Sequence, residues 1–382
     1  MRDTFLVFGS PRLEDDDIQA VTEVLKSGWL GTGPQVKQFE TDFQNYIGSR
    51  HAMALNSCTA GLHLSMVVLG LEAGDEVITT PLTFCATANS IIHAGGRPVF
   101  VDIDRETLNI DADKIEAAIT PRTKAILPVH FAGRPCAMDK IMAIAARHKL
   151  TVIEDCAHAI EAEYHGRHVG TFGTLGCFSF YVTKNVVTGE GGMVTTDNEA
   201  YADKIKMYGL HGMSRDAWKR FSDEGFKHYQ VMFPGFKYNM MDIQAALGIQ
   251  QLQKVEKFYR RRQEIWDAYN QRLSGLPLFL PAPFEPETKH ALHLYTVLLD
   301  TDRVKITRDA LLNALIKENI GTGVHYTALH LHPYYRESFG YQEGDFPQAE
   351  YVAERVLSLP LSAKLTAQDV DDVVKALEKI LG

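Results

Sequence analysis

Lys184 stands in "FSFYVTKNVVTGEGG", residues 178–192, among aromatic and β-branched residues and just ahead of a run of glycines. An amine held in partly apolar surroundings has its charged form disfavoured, so its pKa falls and a nucleophilic neutral form becomes available near pH 7. That is what Schiff-base chemistry with a carbonyl compound requires. Asp155, in "TVIEDCAHA", closes an apolar run upstream of the lysine. In an open α/β sheet the ligand crevice lies at the carboxyl ends of the strands, so strands ending near each residue would bring both to one pocket.

A carboxylate in that place can hold a pyridine nitrogen protonated, which turns the ring of pyridoxal phosphate into an electron sink. From these two residues alone a structural Lys–Asp ion pair is an equally open reading. A phosphate site is suggested by "ALNSCTAGLHL", where Ser57, Cys58, Thr59 and Ala60 fall between a strand and a helix, the place where backbone N–H groups and the helix dipole favour an anion. Ser179 could add a hydroxyl, although each serine singly reads as an ordinary cap or strand residue. Phe84, in "TPLTFCATAN", could stack on a flat ring or simply pack in the core. The glycines of "TGEGG" permit a tight or left-handed backbone beside Lys184 and match no nucleotide fingerprint.

The elements that must position these residues follow from periodicity. Between residues 51 and 200 short apolar runs alternate with amphipathic stretches, the pattern of βαβ units and a mainly parallel sheet. Strands are expected at 51–55, 76–80, 98–103, 124–129 and 150–154, with further strands in "GCFSFYV" and "GGMVTTD". Helices are expected in "AGLHLSMVVLG", "ATANSIIHAGG" and "MDKIMAIAARH". A long helix is expected over 240–273, with Leu252, Val255, Tyr259, Trp266 and Leu273 on one stripe. A smaller α+β unit follows, with a strand at 292–299 and helices at 307–319 and 366–381. The division is placed near residue 250, giving a large unit of 1–250 and a small one of 251–382.

Composition removes other classes. A chain of 382 residues, 45% hydrophobic and 23% charged, reads as globular with room for two cores. A formal net charge of −9, without a long basic run, argues against a nucleic-acid partner. No apolar stretch suits a signal peptide or a membrane span, and five scattered cysteines without a CxxC pair suggest reduced thiols, so a cytoplasmic location is expected.

Together the stretches "SGWLGTGPQVKQFE", "NSCTAGLHL", "TPLTFCATAN", "VIEDCAHAIEAEYHGRHVGTFGTLGCFSFYVTKNVVTGEGGMVTTD", "GFKYNMMDIQAALG" and "GTGVHYTALHLHPYYRE" resemble the DegT/DnrJ/EryC1/StrS group of nucleotide-sugar aminotransferases, over nearly the whole chain. The resemblance implies an α/β fold of the fold type I aminotransferase kind, a large domain with a mainly parallel seven-stranded sheet and a smaller C-terminal domain. It implies pyridoxal 5'-phosphate as cofactor, cycling through pyridoxamine 5'-phosphate, and L-glutamate as donor. The implied acceptor is a nucleotide-linked 4-keto sugar, UDP-linked in the most similar branch, for polysaccharide or lipopolysaccharide biosynthesis.

By the same resemblance Lys184 is the lysine of the internal aldimine, Asp155 the partner of the pyridine nitrogen and His158 the neighbour of the ring hydroxyl. Thr59, the backbone around Cys58 and Ala60, and Ser179 hold the phosphate, and Phe84 stacks on the ring. Asn239, in "KYNMMD", reaches the cofactor of the other subunit, implying a homodimer with shared sites. Cys58 stands where many relatives carry glycine or alanine, and Phe84 where others carry tryptophan or tyrosine. Related sugar 3-dehydratases have histidine where this chain has Lys184, which disfavours that reaction.

"VHYTALHLHPYY" supplies His325, Tyr326, His330 and Tyr334 as candidate contacts to the sugar or diphosphate, and its histidine spacing fits no strong zinc site. Arg260, Arg261 and Arg262 read as a solvated helix face, with a diphosphate contact as the alternative. Arg215 and Arg220 are candidates for the donor's carboxylates. Amination at C3 of the sugar, or a regulatory protein that keeps the cofactor without turnover, stays open as a second reading.

Overall fold

The apolar runs between residues 51 and 196 form one seven-stranded sheet in a computed structural model that describes residues 2–214 and 229–382. In chain order the strands are β1 His51–Leu55, β2 Glu76–Thr79, β3 Arg97–Phe100, β4 Thr123–Ile126 and β5 Thr151–Asp155, then a short hairpin of β6 Glu163–Tyr164 and β7 Arg167–His168, then β8 Leu175–Ser179 and β9 Gly192–Thr196. The sheet order is β1-β9-β8-β5-β4-β2-β3, and β9 alone runs against its neighbours. In β5 four of five residues are buried, as expected of a parallel strand covered on both faces.

Helices Cys58–Leu69, Cys85–His93 and Met138–His148 cover the sheet where the amphipathic stretches predicted them. On one face Met53, Leu62, Ile153 and Val194 share a core; a second core joins Ile78, Ile126, Ile141 and Val152. The strand expected over 124–129 stops at Ile126, before Pro128, which has no N–H to give a ladder.

The long helix expected over 240–273 is two helices, Asp242–Gln253 and Val255–Leu273, meeting at Lys254 (φ −100, ψ −2). At the break Lys254 reaches Asp16 at 2.6 Å and Asp17 at 2.7 Å on helix Asp15–Ser27, which packs along Asp242–Gln253. The C-terminal part holds β10 Leu278–Phe279, β11 Thr288–Lys289, β12 Tyr295–Leu299 and β13 Val356–Leu359. Strands β10, β12 and β13 form an antiparallel sheet, while β11 joins β6. Strand β12 begins later than the expected residue 292, because Leu292 sits at φ 50 and the N–H groups of His293 and Leu294 turn to the carbonyl of Ala132.

The core of this part gathers Ile265, Trp266, Tyr269, Tyr295, Val373 and Leu377, and takes in Leu6 from the far end of the chain. Helix Ala367–Leu381 is capped by Thr366, whose side chain accepts from the N–H of Asp369 while Asp369 answers at the N–H of Thr366. Among the described residues no helix is long and apolar enough to cross a membrane.

Candidate active site

Asp155 ends β5 and pairs with Cys177 of β8, so the chain leaving β8 at Ser179 passes beside the carboxylate. It then folds back on itself: Lys184 N–H bonds to Tyr181 O at 2.8 Å, Thr188 N–H to Phe180 O at 2.8 Å and Phe180 N–H to Gly191 O at 2.9 Å. Gly189, at φ 81, takes the left-handed step of that loop. The result is a cavity of about 470 Å³, within the range of small-molecule sites. Its floor and one wall are Asp155, His158, Ser179 and Lys184; the rest includes Ser57, Cys58, Thr59, Phe84, His325 and Tyr326.

Burial lowers the pKa of the Lys184 amine to about 8, against the opposing pull of Cys58 and Asp155. Burial pushes the Asp155 carboxyl up, opposed by the hydroxyl of Thr87, the N–H of Ala157 and the lysine. Thr87 donates to Oδ2 at 2.8 Å and the Ala157 N–H to Oδ1 at 3.1 Å. Thr83 in turn lies 2.8 Å from the Thr87 hydroxyl.

His158 accepts the N–H of Ala132 on Nδ1 at 3.2 Å and faces the Tyr326 hydroxyl with Nε2 at 3.2 Å. Desolvation holds it well below the usual histidine range, so the ring is neutral and its one proton sits on Nε2, donated towards Tyr326. Burial pushes the Tyr326 hydroxyl up, which leaves it protonated and free to donate.

At the start of helix Cys58–Leu69 the Ser57 hydroxyl accepts the N–H of Ala60 at 3.1 Å, and the N–H of Gly61 returns to Ser57 O. The N–H groups of Cys58 and Thr59 are the ones left without an intrahelical partner. The expected Ala60 ligand is therefore corrected: its N–H is already used by the cap. Phe84, the residue before helix Cys85–His93, is 58% exposed and forms a bare aromatic wall 6.1 Å from the Tyr326 ring.

Two expected site residues, His330 and Tyr334, lie outside the cavity, and Asn239, expected to serve the other subunit's site, lies apart from it as well. Asn239 lines a separate hollow with Thr32, Glu40 and Lys206, and donates to the Thr32 hydroxyl at 2.6 Å. His330 is fully buried against Glu350 at 2.8 Å, and Tyr334 is exposed beside the rings of Tyr335 and Phe339. Neither lines the cavity, because the 3-10 turn Leu329–Leu331 directs the chain away from it after Tyr326.

The basic run also divides. Arg260 is exposed, Arg261 bonds to Leu365 O at 2.8 Å, and Arg262 is buried on Glu161, so the solvated-face reading fails for the third residue. Arg215 and Arg220 lie outside the described residues. Thr87, Tyr181, Thr183 and Glu190 line the cavity without having been anticipated. Only Thr87 had a signal: it follows Thr83 by one helical turn just past β2.

A neutralisable amine and a buried carboxylate facing one cavity, on a mainly parallel seven-stranded sheet, agree with a pyridoxal-phosphate-dependent aminotransferase of fold type I, the class that the family match establishes. The chain belongs to the DegT/DnrJ/EryC1/StrS aminotransferase family, which its residues 11–378 match. It is 54% identical over 381 residues to MJ1066 of Methanocaldococcus jannaschii, covering 100% of this chain and 99% of that protein. With the spore coat polysaccharide biosynthesis protein SpsC of Bacillus subtilis it shares 50% identity over 381 residues, covering 100% and 98%. Its fold matches Helicobacter pylori PseC, an aminotransferase involved in pseudoaminic acid biosynthesis, with a TM-score of 0.92, 30% identity and 99% of each chain covered. Solved structural neighbours include pyridoxal-phosphate and pyridoxamine-phosphate forms, and this chain is a sugar aminotransferase dependent on that cofactor.

Proposed function

We propose that the chain transfers the amino group of L-glutamate to the C4 carbonyl of a UDP-linked keto sugar, in a cavity between a large domain of 1–250 and a small one of 251–382. The observation that carries this reading is the desolvated Lys184 amine facing the same cavity as Asp155. The residues fit the cofactor. Asp155, deeply buried with both oxygens already oriented by Thr87 and Ala157, suits a protonated ring nitrogen. The free N–H groups of Cys58 and Thr59, with the hydroxyls of Ser57, Thr59 and Ser179 nearby, suit a phosphate. The exposed face of Phe84 suits a flat ring.

When bound, pyridoxal phosphate supplies the electron sink that acidifies hydrogen on the carbon bearing the amino group. Lys184 takes the proton from the α-carbon of the donor and, in the second half of the cycle, delivers one to C4 of the sugar. A base placed this way contributes about 10²–10⁴ in rate. Asp155 keeps the ring-nitrogen proton in place. His158, neutral, donates to Tyr326, which leaves the tyrosine hydroxyl proton for a ligand oxygen. His325 and Tyr326 form the side of the cavity that meets the sugar.

The same reading makes the protein a homodimer in which Asn239, beside exposed Trp29 and Met241, faces the other subunit's site. Five unpaired thiols support a cytoplasmic setting. The likeness to SpsC and PseC supports a product used in polysaccharide or surface-sugar synthesis. The test is a panel of UDP- and dTDP-linked keto sugars offered with glutamate, followed by 2-oxoglutarate release and NMR of the product. A 4-amino UDP-sugar is expected; a 3-amino sugar, or no turnover with any acceptor after a normal reaction with glutamate, overturns the assignment.

A further inference from the structure

Behind Lys184 four side chains outside the cavity lining, three of them buried and Asn185 half-buried, form one chain of hydrogen bonds. Arg262 donates to Glu161 Oε1, and the two side chains are 4% and 0% exposed. Glu161 Oε2 accepts from Asn185 Nδ2 at 2.7 Å, and the same nitrogen donates to Ala291 O at 2.8 Å. Asn185 Oδ1 faces His293 Nδ1 at 3.1 Å. The His293 ring lies 4.6 Å from that of His158.

These contacts leave the amide of Asn185 one orientation. Turning it over would set its oxygen against a carboxylate and a carbonyl, so the nitrogen must face Glu161 and Ala291. The oxygen is then an acceptor, and Nδ1 of His293 must carry that ring's proton. Burial, with Lys184 and other cationic neighbours, holds His293 well below the usual histidine range, so the ring is neutral in that single tautomer. Burying two charges is costly and a buried ion pair is a weak source of stability, so a specifying role suits the Arg262–Glu161 pair better than a stabilising one.

We propose that Asn185 is a positioning residue for transamination: the Arg262–Glu161 pair locks its amide, and the locked amide fixes the backbone of the adjacent Lys184 and holds His293 in its Nδ1-protonated tautomer beside His158. The inference rests on the reading of Lys184 as the reacting amine.

The test is Asn185→Ala in the full chain. With pyridoxal phosphate bound, the absorbance change on adding glutamate should slow about 10- to 100-fold, the loss typical of a misplaced reacting group, while half-saturation by glutamate moves less than about twofold. In the cofactor-free variant, competitive labelling of the Lys184 amine, read by peptide mass, should titrate at a higher pH than in the parent protein. Arg262→Lys, which keeps a cation on Glu161, should retain a rate within about threefold of the parent, whereas Arg262→Met should behave like Asn185→Ala. A variant with the parent's rate and labelling profile overturns the proposal. So does one whose rate falls only in proportion to lost folded protein. A parent protein unresponsive to glutamate would instead sink the reading of the site, and the labelling profile would still decide the role of Asn185.

Discussion

Thr87 donates its hydroxyl to Asp155 Oδ2 at 2.8 Å from inside the cavity wall. With Oδ1 held by the Ala157 N–H, the carboxylate is aimed before any ligand arrives. Thr87→Val keeps the shape and removes the donor. Without that donor the carboxylate is no longer held in one orientation and must be ordered when the ring nitrogen arrives, so affinity for pyridoxal phosphate, measured by fluorescence titration, should fall about fivefold or more. An unchanged Kd would show that Thr87 does not orient Asp155.

Asp155→Asn removes the charge and keeps the size. The variant should still bind cofactor, while the half-reaction with glutamate slows by about 10²–10³, the cost of deleting one preorganised electrostatic group. Stopped-flow absorbance reads this directly. A rate within threefold of the parent would remove Asp155 from the mechanism.

The Lys184 amine titrates in the cofactor-free fold near pH 8, below the value of about 10.4 in an unfolded chain. The unfolded state then binds more protons across that interval, so the stability of the cofactor-free protein rises as pH goes from about 8 to about 10. At pH 7 the buried amine must be charged at a cost, and Lys184→Met should stabilise the cofactor-free protein by about 1–3 kcal/mol while abolishing turnover. Urea unfolding at pH 7 and pH 10 tests the sign: the stabilisation should shrink at the higher pH.

Gly192 opens β9 directly beneath the loop of Ser57 and Cys58, and a Cβ there would run into that backbone. Gly192→Ala must push that loop away from the strand, with a predicted loss of about 1–3 kcal/mol in stability and weaker cofactor binding. Thermal melts with and without pyridoxal phosphate measure both. A variant with the parent's Tm and cofactor affinity would mean the loop moves without cost.

The sheet and the lysine–aspartate relationship were legible in the sequence because they rest on local signals, continuous apolar runs and the residues that close them. Lys254 was not, since its turn towards Asp16 and Asp17 depends on a helix more than two hundred residues away. The same holds for Arg262: the triplet Arg260–Arg262 reads as a surface face until the fold brings Glu161 beneath the third member. His330 and Tyr334 share a segment with His325 and Tyr326, but proximity in sequence did not survive the turn at Leu329–Leu331. The role of the Ala60 N–H is not legible in the sequence, because a capping hydroxyl and a ligand compete for the same first-turn donor.

Borohydride reduction of the protein loaded with pyridoxal phosphate, followed by peptide mass mapping, reads which amine bonds the cofactor. A pyridoxyl group is expected on the peptide containing Lys184, at close to one per chain. A cofactor that stays bound yet leaves Lys184 unmodified, or labels a different lysine, would contradict that expectation.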